Sequence, residues 1–227
     1  MNVTQVMGQL RRYIDEDDAT FVTDADLSTW LEMAYNEFRE MVCETAPEIY
    51  MTQTDITLAS SNEYDLANPP GAAIALLGPN AVARLYRLYR VAVSTSSSTP
   101  DTYIRAYANP ALFSNSSFAW QDGYTLTGSK IKFSARSSGT VRLEYVTDST
   151  VDWSKYGPAD NEFIDDLTPF HSMIALLAAQ YYQIADAATN AILDKQLVSR
   201  RQRLMSYLTQ DRLPESSLYV ESRPEDW

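Results

Sequence analysis

One histidine, one cysteine and a run of four acids are the residues whose types could do chemistry, and none stands in a pattern that chemistry requires. His171 could serve as a base only beside a nucleophile and an orienting acid, and no Gly-x-Ser-x-Gly elbow accompanies it. A histidine near a helix N-terminus, satisfied by local hydrogen bonds, is the simpler reading. Cys43 falls on the apolar side of a helical pattern and reads as a small core residue; alone, it forms no internal disulfide. A zinc set needs more histidine and cysteine than this, and seven glycines leave little from which to build a phosphate cradle. Asp15-Glu16-Asp17-Asp18 could attract a divalent cation, but it lacks the alternating ligands and glycine of a calcium loop, so a solvated interhelical loop is favoured. The 30 acids guarantee some close carboxylate pairs, and none stands out as a glycosidase pair. No catalytic residue, cofactor or metal is assigned.

Function must therefore be read from organisation. The 227 residues, 45% hydrophobic, suffice for one globular domain or for a helical core with an inserted module. No apolar run approaches the roughly 18 residues that span a bilayer, and no signal peptide is visible, so cytoplasmic synthesis without a membrane role is expected. A formal charge of −12 argues against ordinary nucleic-acid binding. That charge is segregated: residues 1–80 hold 14 acids against 3 bases, 81–145 hold 3 against 8, and 146–227 hold 13 against 7. The middle of the chain is a basic island.

The elements follow from periodicity. Asn2 can cap a first helix while Gln5 reaches back, and Val3, Val6, Leu10 and Ile14 share one face. Thr23 can cap a second, with Asp24 and Asp26 at the positive end of its dipole; Leu27, Trp30, Leu31, Ala34, Phe38, Met41 and Val42 form its apolar stripe until Pro47 stops it. From Tyr50 the period becomes two. Ile56 and Leu58, a turn at Ser60-Ser61-Asn62, then Tyr64 and Leu66 read as a hairpin. Leu85 to Val93 suits a strand with two buried faces, a short helix being the alternative. Tyr124 and Leu126, Ile131 and Phe133, and Val141, Leu143 and Tyr145 read as a meander joined by turns at 127–129 and 137–139.

Helices return near Phe163, beginning either at Thr168-Pro169 or earlier at Asn161. Phe170, Met173, Ile174, Leu177, Tyr181 and Ile184 suit a buried central helix. After a break near Ala185-Asp186, a last helix carries Ile192, Leu193, Leu197, Leu204 and Leu208, with Arg200, Arg201 and Arg203 near its end, where cations suit the dipole. The tail 210–227 holds two prolines and the isolated apolar residues Leu213, Leu218, Tyr219, Val220 and Trp227. It is either a disordered terminus or an extended arm ordered against another subunit. Arg84, Arg87 and Arg90, interleaved with aromatics, superficially suit single-stranded nucleic acid. A three-residue repeat on a strand alternates faces, however, so with Arg142 they are read as inter-subunit contacts. Phe113, Phe118 and Trp120, in a Ser/Asn-rich loop over 94–123, are candidates for a tail-facing contact.

The organisation resembles the head-to-tail adaptor, or connector, proteins of tailed bacteriophages. The resemblance lies in Val3-Thr4-Gln5-Val6-Met7-Gly8-Gln9-Leu10-Arg11-Arg12-Tyr13-Ile14, the acidic loop, and Phe21-Val22-Thr23-Asp24-Ala25-Asp26-Leu27 opening a helix through Ala34-Tyr35-Asn36-Glu37. It extends to the strand-rich insertion and to Phe163-Ile164-Asp165-Asp166-Leu167 through Ala178-Ala179-Gln180-Tyr181-Tyr182. It implies an α+β protein: a helical bundle of two N-terminal and two C-terminal helices, interrupted by a mainly antiparallel β module and followed by an extended C-terminal arm. The divisions are 1–48, 49–150, 151–209 and 210–227. It further implies a structural virion protein rather than an enzyme, a homo-oligomer of about twelve subunits at the neck, with the portal protein and tail or nozzle proteins as partners and double-stranded DNA passing through without specific binding. Leu213, Leu218, Tyr219, Val220 and Trp227 would then form the portal-binding arm, with Arg200, Arg201 and Arg203 as lesser candidates for that contact.

Two charge arguments fit this assignment. Acid-rich helices lining a channel let DNA slide, and the basic β segment of one subunit can meet the acidic helices of its neighbour. The alternatives are another neck or tail-completion protein, a stopper or terminator, and a small carboxylate-dependent hydrolase.

Overall fold

The computed structural model describes residues 1–15, 21–59, 63–66, 85–94, 100, 102–107, 123–127, 130–133, 138–157, 162–185 and 191–210. The chain is α+β and divides into two compact units, one from Met1–Ile49 with Ser149–Trp227 and one from Tyr50–Asp148.

The first unit is helical. Helix α1, Val3–Ile14, opens with a complete capping box: Gln5 N–H donates to Asn2 Oδ1 at 2.9 Å, and the Asn2 N–H donates back to Gln5 Oε1 at 3.1 Å. Helix α2, Asp24–Thr45, repeats the device with Thr23 and Asp26. Val22 and Leu27, at the two positions of a hydrophobic staple, are both buried. The expected stripes are buried except at one position: Val3, Val6, Leu10 and Ile14 on α1, and Leu27, Leu31, Ala34, Phe38, Met41 and Val42 on α2, while Trp30 is half-buried, edge-on to Tyr182. Cys43 is buried beside them. Pro47, which lacks an N–H and disfavours helical dihedrals before it, ends α2 and starts a single 3-10 turn, Pro47–Ile49.

Helix α3, His171–Ala185, is the central one, packed against α1, α2 and helix α4, Ala191–Gln210. Its first nine residues, His171 to Ala179, are all buried, and Ala175, Ala178 and Ala179 let neighbouring helices approach closely. Each fully buried Met, Ile or Leu here contributes about 1.5–3 kcal/mol through area removed from water. The segment from Glu162 to Leu167 is not helical; it crosses the start of α1, where Val3 N–H donates to Glu162 O. Helix therefore does not begin near Phe163, which is 62% exposed, and the alternative start at Asn161 lies outside the described residues. One 3-10 turn with Pro169 in its first positions leads into α3. No Thr168 side chain caps it; Asp165 Oδ1 accepts the Leu167 N–H instead. Ile184, expected on the buried stripe, is exposed at the end of α3. Helix α4 buries a narrow seam of Leu193, Leu204 and Leu208, with Leu197 half-buried.

The second unit holds eight described strands: β1 (Met51–Ala59), β2 (Glu63–Asp65), β3 (Leu85–Val93), β4 (Thr102–Tyr103), β5 (Arg105–Ala106), β6 (Gly123–Thr127), β7 (Lys130–Phe133) and β8 (Ser138–Thr147). They form two four-stranded sheets, ordered β1-β8-β3-β4 and β2-β7-β6-β5, antiparallel throughout except for β5–β6. The expected hairpin of β1 with β2 does not form, because β1 pairs along its length with β8 and β2 pairs with β7. The expected meander also breaks after its first pair. β6 and β7 are a hairpin, and the chain then changes sheet to place β8 between β1 and β3.

Both corrections have one cause. Ile56 and Leu58 on β1, Tyr64 on β2 with Leu66 just beyond it, Tyr124 on β6, Ile131 and Phe133 on β7, and Val141, Leu143 and Tyr145 on β8 pack into one cluster. Each strand keeps its apolar alternation whichever sheet holds it, provided both sheets face the same core. β3 has two buried faces only at its end, where Val91, Ala92 and Val93 are all buried. Register shifts between Leu85 and Arg87 and between Leu88 and Arg90 precede that end, and there Tyr86, Arg87 and Arg90 are exposed. Gly123 fits closely at the β5–β6 contact, since a Cβ there would lie 2.1 Å from the Tyr107 ring and 3.0 Å from Arg105 O, so the ring would have to move aside.

Candidate interaction surfaces

The one histidine sits in a closed network. His171 is fully buried; its Nδ1 lies 3.1 Å from Met1 O, to which it donates, and its Nε2 lies 2.6 Å from Asp165 Oδ1. Tyr35 Oη donates to Asp165 Oδ2 at 3.0 Å. Both ring nitrogens are thus occupied without a route for substrate, and the group ties α3 to α2 and to the chain start. Trp153 packs edge-on to Tyr35 at 5.6 Å, and Ser28 Oγ donates to Trp153 O. Thr4 Oγ1 exchanges hydrogen bonds with the carbonyl and N–H of Gly157, both at 3.1 Å. This is structural polarity. Among the described residues no group of three or more His, Cys, Asp or Glu side chains is placed to hold a metal. Of the acidic loop only Asp15 is described, in the left-handed conformation that caps α1.

The four arginines of the basic island have different surroundings. Arg142 makes a bidentate pair with Asp55, directly opposite on β1, at 2.7 and 2.9 Å. The bond to Asp55 raises the arginine's proton affinity further. Arg90 reaches to 3.9 Å from Glu144 and lies over the Tyr103 ring, while its side chain remains 63% exposed. Tyr103 Oη donates to Glu144 at 2.7 Å, which raises the phenol's pKa. Arg87 is exposed and lies over the Tyr89 ring at 5.2 Å. Arg84 lies outside the described residues, as do Phe113, Phe118 and Trp120 and the tail residues Leu213, Leu218, Tyr219, Val220 and Trp227.

The cations of α4 are placed differently from expectation. The helix continues to Gln210, so Arg200, Arg201 and Arg203 lie well before its last turn, which holds no base. Complementarity to the helix dipole, which fades beyond that turn, does not account for them. Arg200 donates to Ser172 Oγ at 2.7 Å, and Arg201 and Arg203 are exposed. Beside Arg200 an open pocket of about 640 Å³ is lined by Tyr13, Ile192, Lys195, Gln196 and Ser199. The sequence also concealed the pair of Arg11 with Asp24, which links α1 to the first turn of α2. A base in the last turn of one helix and an acid in the first turn of the next were its only signal.

A profile of the SU10 adaptor protein family matches residues 1–218. The chain belongs to that family. These are phage head-to-tail adaptors, structural proteins rather than a class of enzyme, and the resemblance read from the N-terminal helices is thereby established. Family membership implies the virion neck as location and portal and tail components as partners. No helix among the described residues is long and apolar enough to cross a membrane. No curated protein matches the chain. The adaptor match takes in both helical segments, the β unit and the tail as far as Leu218, leaving Tyr219, Val220 and Trp227 beyond it.

Proposed function

We propose that this adaptor forms a closed ring, a dodecamer matched to the portal's symmetry, beneath the portal vertex, where it extends the DNA channel and offers the tail its platform. The observation that carries the reading is the adaptor-family match over residues 1–218. The net charge of −12 suits a wall past which double-stranded DNA slides without adhering, since an acidic lining repels phosphate. A helical bundle interrupted by the β module provides the body of the subunit. The segment 210–227 is the portal-binding arm, through Leu213, Leu218, Tyr219, Val220 and Trp227. Its apolar residues are spaced for an extended contact, and the buried seam of α4 already ends at Leu208. Arg87 and Arg90, whose guanidinium groups remain exposed, are offered to a neighbouring subunit, whereas Arg142 acts chiefly through Asp55. Phe113, Phe118 and Trp120 are directed to the tail or nozzle proteins.

Deletion of 211–227 tests the arm. The truncated chain is expected to keep its helical circular dichroism and unfolding midpoint and to fail to bind isolated heads; a truncated chain that still decorated heads would refute the arm. An image of the particle vertex tests the ring, which requires about twelve copies between portal and tail.

A further inference from the structure

We infer that the acidic outer face of α2 in one copy of this chain docks on the cationic face of α4 in the next copy. This contact deepens the ring reading and rests on it. α2 carries Asp24, Asp26, Glu32, Glu37, Glu40 and Glu44 against one base, Arg39. Arg39 is buried, with its guanidinium over the Tyr35 ring, so the exposed side of the helix shows acids alone. Glu32, Asn36, Glu40 and Glu44 are exposed and four residues apart, which sets them in one row. α4 carries Lys195, Arg200, Arg201 and Arg203 against one acid, Asp194, which is held by the Gln180 amide at 3.0 Å. Lys195, Ser199 and Arg203 form an exposed row of the same spacing, whereas Arg201 lies on another side of the helix.

The two rows match in length. Lys195 and Arg203 are eight residues apart, as are Glu32 and Glu40, and each pair spans about 12 Å along its helix. Among the described residues Glu32, Glu44, Lys195, Arg201 and Arg203 take part in no ion pair. The like charges of Glu40 and Glu44 repel along α2, and the dipole does not explain the α4 cations, so each row gains from an oppositely charged neighbour. The pocket lined by Tyr13, Ile192, Lys195 and Arg200 gives a recess to an apolar side chain, and the acidic face carries one, Met33, 45% exposed. Because the two faces are different surfaces of one subunit, their contact is head-to-tail, the type that closes into a ring.

Charge exchange tests this. Three full-length variants are made, Lys195→Glu with Arg203→Glu, Glu32→Arg with Glu44→Arg, and all four together, each as the only source of the chain in assembling particles. Each pair is expected to weaken self-association about tenfold or more and to deplete the chain from the vertex, with helical content unchanged, while the fourfold exchange restores both. If a reversed pair unfolds, Lys195→Ala with Arg203→Ala replaces it and is expected to flatten the salt dependence of association. A wild-type ring indifferent to both reversals, or no restoration by the fourfold exchange, overturns the contact and leaves the ring reading standing. Wild-type particles without a ring of this chain overturn both.

Discussion

His171 and Asp165, six residues apart, meet with Nε2 and Oδ1 at 2.6 Å inside the helical unit, and Tyr35 donates to the other oxygen of the same carboxyl. His171→Ala is expected to cost about 2–4 kcal/mol, because it strips a buried carboxyl of its closest partner, whereas Tyr35→Phe costs about 1 kcal/mol. Urea unfolding of the two single variants and the double checks this; coupling below about 0.5 kcal/mol would contradict a shared network.

The two capping boxes should be separately measurable. Asn2→Ala and Thr23→Ala are each expected to lower stability by about 1 kcal/mol in denaturant unfolding. Thr29→Ala, an exposed site on α2 whose hydroxyl only bonds back to Ala25 O, is expected to stay within about 0.5 kcal/mol.

Acid should weaken the joint between α1 and α2. The Tyr156 hydroxyl and then the Arg11 guanidinium hold the Asp24 carboxyl below the usual carboxylate range. A depressed native pKa stabilises the fold above the unfolded value near 4, and that contribution disappears as pH falls through the lower native value. Thermal midpoints of the wild type and of Asp24→Asn are therefore expected to differ at pH 6 and to converge in acid. A constant gap across the titration would show that the charge contributes nothing.

In the β unit, steric need and burial give larger effects. Gly123→Ala is expected to cost about 1–3 kcal/mol, since Tyr107 and the Arg105 carbonyl already occupy the space. Phe133→Ala, 1% exposed in the shared core, is expected to cost about 3–5 kcal/mol. Arg142→Ala is expected to cost the least of the three, because its pair with Asp55 is open to water. Chemical denaturation ranks all three.

The starts of α1 and α2 were legible in the sequence because a cap is written within four residues: Asn2 with Gln5, and Thr23 followed by the acids Asp24 and Asp26. Strand pairing was not. Alternation tells which side chains of β2 and β8 turn inward but not which strand lies beside them, and two sheets sharing one core accept the same pattern in several orders. The role of Arg200, Arg201 and Arg203 was misjudged for a different reason: the helix end was placed correctly near 209, but these cations stand seven to ten residues before Gln210, beyond the last turn in which the dipole acts. Asp165 was within sight of His171 in the sequence. Tyr35, 130 residues from Asp165, was not.

The central place of α3 also sets a timetable. α1 and α2 are translated first, but the helix against which both bury their apolar stripes follows roughly 125 residues later, about 6–25 s at ordinary elongation rates. During that interval the nascent helices present Leu27, Leu31 and Phe38 to solvent, while the whole of the β unit emerges and can close its own core. Slow elongation or a missing chaperone would therefore fall hardest on the helical unit, the last part of the subunit to be completed although it was the first to be begun.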